Sequence, residues 1–219
     1  MQSIFITGGT GYMGKRLITA LLNKGYTVKA LVRKGSEAKL PAGAIPVIAD
    51  AFDEKTFQGK IPEHSIFIQL LGVPHPGPKK KELFKSIDLA SAKASAIAAK
   101  HAGISHFIYV SVAQTPTKIM RDYQQCRAEG ESAIKDAGLS ATFIRPWYVI
   151  GPKHYWPLFF QPLFKILEII PSTSQKAKAL RLVYLHQMIN ILMFAAENPF
   201  TGIRIIEIAE IRKGAGHKV

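Results

Sequence analysis

Gly8, Gly9, Gly11 and Gly14 follow the apolar run Ser3-Ile-Phe-Ile-Thr7 and lead into helical periodicity at Leu17, Ile18, Leu21 and Leu22. Glycines so spaced let a pyrophosphate lie against the first N–H groups of a helix, because no Cβ blocks the approach. The spacing fits Gly9-x-Gly11-x-x-Gly14 and also Gly8-x-x-Gly11-x-x-Gly14, and only the second takes in all of Thr7-Gly8. Placed between a predicted strand and a predicted helix, it reads as the strand, tight turn and helix of a dinucleotide site. Thr7, Gly8, Gly9, Thr10, Gly11, Tyr12, Met13 and Gly14 are the residues expected to bind it.

The loop after the second strand governs which dinucleotide fits. A carboxylate there accepts hydrogen bonds from the ribose 2′-hydroxyl, whereas a cation accommodates a 2′-phosphate. The chain reads Leu31-Val32-Arg33-Lys34, with no carboxylate before Glu37. Arg33 offers a planar fork suited to phosphate and Lys34 a second charge, so NADP(H) is favoured over NAD(H). Asp50, beside Ala51 at the end of the third strand, is placed either to accept from an adenine amino group or to close an Asx turn.

These residues need a scaffold that brings distant loops together. Strands are predicted at about 27–32, 45–48, 65–71, 106–112, 141–144 and 203–208, with helical patterns between them. One runs from Leu83 to Ala102 with apolar positions at Ile87, Ala90, Ala94, Ile97 and Ala98, and Gly103 follows as its C-cap. Such alternation predicts an α/β fold, a Rossmann-like doubly wound parallel sheet. Ligands of these sheets bind at the carboxyl ends of the strands, so the loops after Thr7, Val32, Ile48, Leu71, Val112 and Ile144 are expected to meet in one crevice. Leu71, Gly72 and Pro146 join the cofactor residues on that ground.

Composition bounds the alternatives. The 219 residues suit one compact domain, and 47% hydrophobic with 20% charged residues are ordinary globular values. Residues 1–152 form the expected NAD(P)-binding domain, with 153–219 a small C-terminal substrate-side region integrated with it. A net charge of +14 favours anionic partners without choosing among them. The basic residues are scattered, and Lys79-Lys80-Lys81 reads as a solvated loop entering a helix, so no nucleic-acid partner is expected. The single cysteine, Cys126, excludes an internal disulfide, and no histidines stand at ligand spacing, so no metal site is expected. A first strand beginning at Ser3 leaves no room for a signal peptide, making the cytoplasm the expected compartment.

Three motifs in order resemble one family. Thr7-Gly-Gly-Thr-Gly-Tyr-Met-Gly14, Phe107-Ile-Tyr-Val-Ser-Val112 and Arg145-Pro-Trp-Tyr-Val-Ile-Gly-Pro152 are similar to the TGxxGxxG, fifth strand with its serine, and RPxxxxGP of the short-chain dehydrogenase/reductase superfamily, in its atypical, NAD(P)H-binding, epimerase-like branch. The resemblance covers Ser3 to Pro152. It implies catalytic positions at Ser111, Tyr123 and Arg127, the last where the family carries a lysine. In that scheme Tyr123 is the general acid that protonates a carbonyl oxygen, Ser111 hydrogen-bonds that oxygen, and Arg127 orients the ribose and favours phenolate. Asp88 falls near an asparagine of extended members.

Trp147, Tyr148 and His154 are expected to line a substrate pocket. The apolar segment from Tyr155 to Pro171 is too short and too proline-broken to span a bilayer. It reads either as a helix over the substrate side of the crevice or as a surface for a membrane or a protein partner. The expected activity is oxidoreduction of a small apolar carbonyl or related substrate. The alternatives are a non-catalytic NADP(H)-dependent sensor and a membrane- or complex-associated accessory subunit.

Overall fold

A computed structural model describes residues 2–74, 76–115, 117, 120–152 and 181–214. In chain order its strands are β1 (Ser3–Thr7), β2 (Thr27–Val32), β3 (Ile45–Ile48), β4 (Ile66–Gln69), β5 (His106–Val110), β6 (Ala141–Arg145), β7 (Tyr148–Ile150), β8 (Leu182–Tyr184) and β9 (Ile203–Glu207). Seven of them form one sheet in the order β3-β2-β1-β4-β5-β6-β9, parallel throughout. The chain order reverses between β1 and β4, so the ligand crevice belongs at the carboxyl ends of those two strands. β7 and β8 make a separate parallel pair beside it, too short to show any period in the sequence.

The two faces of the sheet are chemically different. Ile4, Ile6, Ile66, Ile68, Ile108 and Ile144 point to one face, where they meet Leu17, Ile18 and Leu21 of α1 (Tyr12–Asn23). The alternate residues Phe5, Phe67, Phe107, Tyr109 and Phe143 fill the other. Register places Phe5 opposite Phe67 and Phe67 opposite Phe107, with ring centroids 5.3 and 4.9 Å apart. Rings this large leave room only for small partners, and α3 (Ala90–His101) supplies Ala92, Ala96 and Ala99.

The helix expected from Leu83 to Ala102 is not continuous. It begins as one turn, α2 (Lys81–Leu83), passes through a π-helical stretch (Phe84–Leu89) and becomes regular only in α3. Ile97, read as one of its apolar positions, is 53% exposed. The sheet and α4 (Arg121–Asp136) bury α3 on two sides with alanines and serines, and Lys93, Ile97 and Lys100 form the stripe left to solvent. Gly103 sits just past its end at φ +62°, where a left-handed residue lets Ile104 N–H reach back to the Ala99 carbonyl.

The C-terminal part completes the structure through α5 (Leu185–Glu197), packed against α1, and β9, followed by α6 (Ile208–Lys213). No helix among the described residues is long and apolar enough to cross a membrane.

Candidate cofactor site and active site

The glycines after β1 divide the work of one turn. Gly8 adopts φ +71°, and a Cβ there would stand 2.8 Å from the Leu70 carbonyl carbon. A Cβ on Gly9 would press on Ile18 Cδ1 at 2.9 Å, and one on Gly14 would fall on the Gly8 carbonyl oxygen. Those three close the turn against the neighbouring strand and helix. Gly11 is exposed and extended, its N–H bonded to the Gly8 carbonyl at 3.0 Å, and it is the N-cap of α1. No side chain caps that helix and no acidic residue occupies its first turn. Its leading N–H groups and positive end therefore suit an anion, so the turn fits a pyrophosphate. Thr7 is turned inward instead: its hydroxyl donates to Gln69 Oε1, within a buried network that continues to Ser91 and Ser95.

Arg33 and Lys34 lie exposed beyond β2, and neither makes an ion pair among the described residues. Asp50 closes an Asx turn, its Oδ1 accepting from Phe52 N–H at 2.9 Å, and Ala51 beside it is buried.

A crevice of about 310 Å³ opens where the order of strands reverses. It brings together Gly8, Gly11, Tyr12, Met13, Gly14, Gly72 and Pro146 from the cofactor set, Ser111, Tyr123 and Arg127 from the catalytic set, and Trp147 and Tyr148. Val73, Pro74, Val110 and Val112 make its walls largely apolar. Thr7, Gly9, Thr10, Arg33, Lys34, Asp50, Ala51 and Leu71 stand outside its lining. His154 and the segment 155–171 lie outside the described residues.

Within the crevice Tyr123 and Arg127, one turn apart on α4, face the same way. Arg127 Nε–H donates to Tyr123 Oη at 3.2 Å, and Nη1 donates to the Val110 carbonyl at 3.1 Å and to Tyr109 Oη at 3.4 Å. Its Nη2 stands 2.5 Å from Asp88 Oδ1, while Asp88 Oδ2 accepts from Val73 N–H at 3.0 Å. Asp88 is fully buried and Arg127 only 5% exposed. Burial raises the Asp88 carboxyl against the lowering effect of Arg127. Arg127 does favour a phenolate at Tyr123, but burial raises that phenol by more than Arg127 lowers it, and Asp88 adds to the rise. Tyr109 is pushed up to about 12 by the same burial.

Ser111 lies one residue beyond β5, its N–H held by the Ile144 carbonyl at 2.8 Å. Its buried Oγ has no hydrogen-bond partner among the described residues, leaving a hydroxyl to offer a ligand. Two supporting residues were not anticipated. Gln124 donates to the Ala113 and Thr115 carbonyls, both at 2.6 Å, and accepts from Thr117, so it holds the loop after β5 to the helix bearing Tyr123. Asp88 was noted only as a departure from the family asparagine; a partner 39 positions along the chain leaves no local mark. Cys126 donates to the Phe84 carbonyl and is raised to about 11 by burial, which makes it packing rather than a nucleophile.

A family model described as NAD(P)H-binding matches residues 8–153. A ceramide reductase of Caulobacter vibrioides is 24% identical over 212 residues, 96% of this chain and 65% of that protein. A 4-hydroxy-2-methyl-3-oxo-4-farnesyl-3,4-dihydroquinoline-1-oxide ketoreductase of Stigmatella aurantiaca is 24% identical over 67% of this chain and 50% of its own. This chain thus spans two thirds or less of the length of these relatives. Among solved structures, a UDP-galactose 4-epimerase superposes with TM-score 0.70 at 16% identity, over 93% of this chain and 76% of that one. The Bordetella bronchiseptica enzyme WbmH in complex with NAD+ gives 0.70 at 17%, over 95% and 76%.

Proposed function

Because the chain belongs to a family described as NAD(P)H-binding and resembles epimerase-like short-chain dehydrogenase/reductase proteins, we propose that it is an NADP(H)-dependent oxidoreductase that reduces the carbonyl of a small apolar substrate. The observation that carries this reading is the Tyr123 hydroxyl. Its oxygen accepts from Arg127, which has no acceptor of its own, so the phenol keeps its hydrogen for a ligand in the crevice.

The bound dinucleotide would supply a hydride. Gly11 and the start of α1 hold its pyrophosphate, and Arg33 and Lys34 take the 2′-phosphate that distinguishes NADP(H). Tyr123 gives its proton to the carbonyl oxygen, and the Ser111 hydroxyl donates a second hydrogen bond to the same oxygen. Trp147, Tyr148, Val73 and Pro74 offer the substrate apolar walls that exclude water. Relatives named as a ceramide reductase and a farnesyl-quinoline-oxide ketoreductase support a substrate with apolar bulk.

A screen of apolar ketones and aldehydes with NADPH tests this. The expected result is turnover that Tyr123→Phe lowers by roughly 10²-fold, the loss typical of a missing general acid, with little change in NADPH affinity. Turnover untouched by Tyr123→Phe removes the assigned donor. NADPH binding without turnover across the screen favours the second reading, a cofactor-dependent sensor, to which the complete engagement of Arg127 inside the protein also lends itself.

A further inference from the structure

Proton donation by Tyr123 calls for a hydroxyl aimed at the crevice, but not for a buried carboxylate behind it. Asp88 is fully enclosed in the π-helical stretch, with one oxygen on Arg127 and the other on Val73 N–H. Such a carboxylate is costly to bury unless it is paired and hydrogen-bonded, as Asp88 is by Arg127 and by Val73 N–H. Arg127 spans the gap: its fork reaches Asp88 with one nitrogen and the Tyr123 oxygen with another.

We propose that Asp88 and Arg127 act as one neutral unit that positions Tyr123, the guanidinium fixing the phenol oxygen while the carboxylate cancels its charge, so that Tyr123 rests as a protonated donor set for carbonyl reduction. A lone buried cation at 3.2 Å would draw the phenol toward phenolate, the form needed to oxidise an alcohol. Among the described residues, the groups facing Tyr123 are Arg127 and Cys126 on its own helix, Asp88 on the π-helical stretch and Tyr109 on β5. Burial opposes its ionisation most, Asp88 and Cys126 oppose it further, and Arg127 favours it. In the reduction the phenol hydrogen moves to the carbonyl oxygen, while the carbonyl carbon would take the hydride that a bound reduced nicotinamide supplies as it becomes oxidised. The phenolate left behind accepts from Arg127 until solvent reprotonates it. The direction of chemistry rests on the oxidoreductase reading; the resting protonation of Tyr123 is a property of the chain alone.

NMR of protein labelled at the tyrosine ring carbon bearing oxygen tests the proposal without substrate, the Tyr123 signal being identified by its loss in Tyr123→Phe. In the unaltered protein the signal should stay at the phenol position through pH 10. A tyrosinate signal at or below pH 10 overturns the proposal. In Asp88→Asn the midpoint should fall by at least one pH unit, with NADPH affinity, read by fluorescence titration, within about threefold. An unchanged midpoint in a folded variant overturns it too, and if Asp88→Asn does not fold, early ionisation in the unaltered protein still overturns it. Absence of carbonyl turnover beside a late titration ends the oxidoreductase reading and leaves the pair standing. Turnover beside an early titration does the reverse.

Discussion

Gly72 lies against Arg127 so closely that a Cβ on it would fall on the guanidinium Nη2, and 2.8 Å from the Asp88 carboxylate. The loop after β4 thus has no side chain at the place where the buried ion pair crosses it. Glycine is required here for space and not for its backbone angles, since Gly72 is absent from the positive-φ residues.

Gly72→Ala should destabilise the protein by about 1–3 kcal/mol in urea denaturation, the usual cost of overpacking a closed site. In a chain already carrying Asp88→Ala and Arg127→Ala, the same change should cost under about 0.5 kcal/mol, because the atoms it strikes are gone. An equal cost in both backgrounds would mean that the ion pair is not what demands the glycine.

NADPH should bind more tightly than NADH in calorimetric titration. Arg33→Ala should erase most of the difference, since a charge-assisted phosphate contact is worth roughly 1.5–3 kcal/mol, on the order of 10- to 100-fold in affinity. Equal affinities in the unaltered protein remove the preference for NADP(H).

Gly11 and Gly14 should fail differently. Gly11 is exposed and a Cβ there meets only the Gly8 carbonyl oxygen at 3.1 Å, so Gly11→Val should keep the melting temperature within a few degrees while abolishing binding of both dinucleotides. Gly14→Ala drives a methyl onto that same oxygen and should lower the melting temperature by about 4–12 degrees, the response of a domain of this size to about 2–3 kcal/mol of overpacking. Normal NADPH binding by Gly11→Val would place the pyrophosphate elsewhere.

His106, buried at the start of β5, is held to about 4 by burial and by the Arg204 charge nearby. It is neutral in the fold, with Nε2 2.8 Å from Thr142 Oγ1, but titrates near 6.5 once unfolded. The unfolded chain therefore binds the extra proton first. Its contribution is full above about pH 6.5 and is lost as pH falls toward 4, up to about 3 kcal/mol in all. Urea midpoints between pH 7 and 4.5 should fall more steeply in the unaltered protein than in His106→Gln; parallel profiles would remove His106 as the cause.

The phosphate turn was legible because its determinants lie within a dozen residues and act through the backbone. The central strands were legible because isoleucine and phenylalanine runs buried on both faces contrast with the polar turns between them. Ile97 misled because alanine and serine carry little hydrophobic signal, so the one large apolar residue of α3 drew the reading to the wrong face. Asp88 and Gln124 gave no sign of their roles, since a buried carboxylate and a buried amide are written with the same letters as exposed ones. Only the partners that the fold delivers, Arg127 for the first and the carbonyls of Ala113 and Thr115 for the second, distinguish them.

The contrast between an isoleucine face and an aromatic face makes the sheet proofread its own register. A slip of one residue in β4 or β5 would send phenylalanines toward α1, where Leu17, Ile18 and Leu21 already fill the space, and isoleucines toward the alanines of α3. One layer would then be overfilled and the other left with voids, and both errors are destabilising. A misaligned strand is thus rejected from two sides at once, and the alignment that survives is the one that brings the ends of β1 and β4 level beneath the glycine turn.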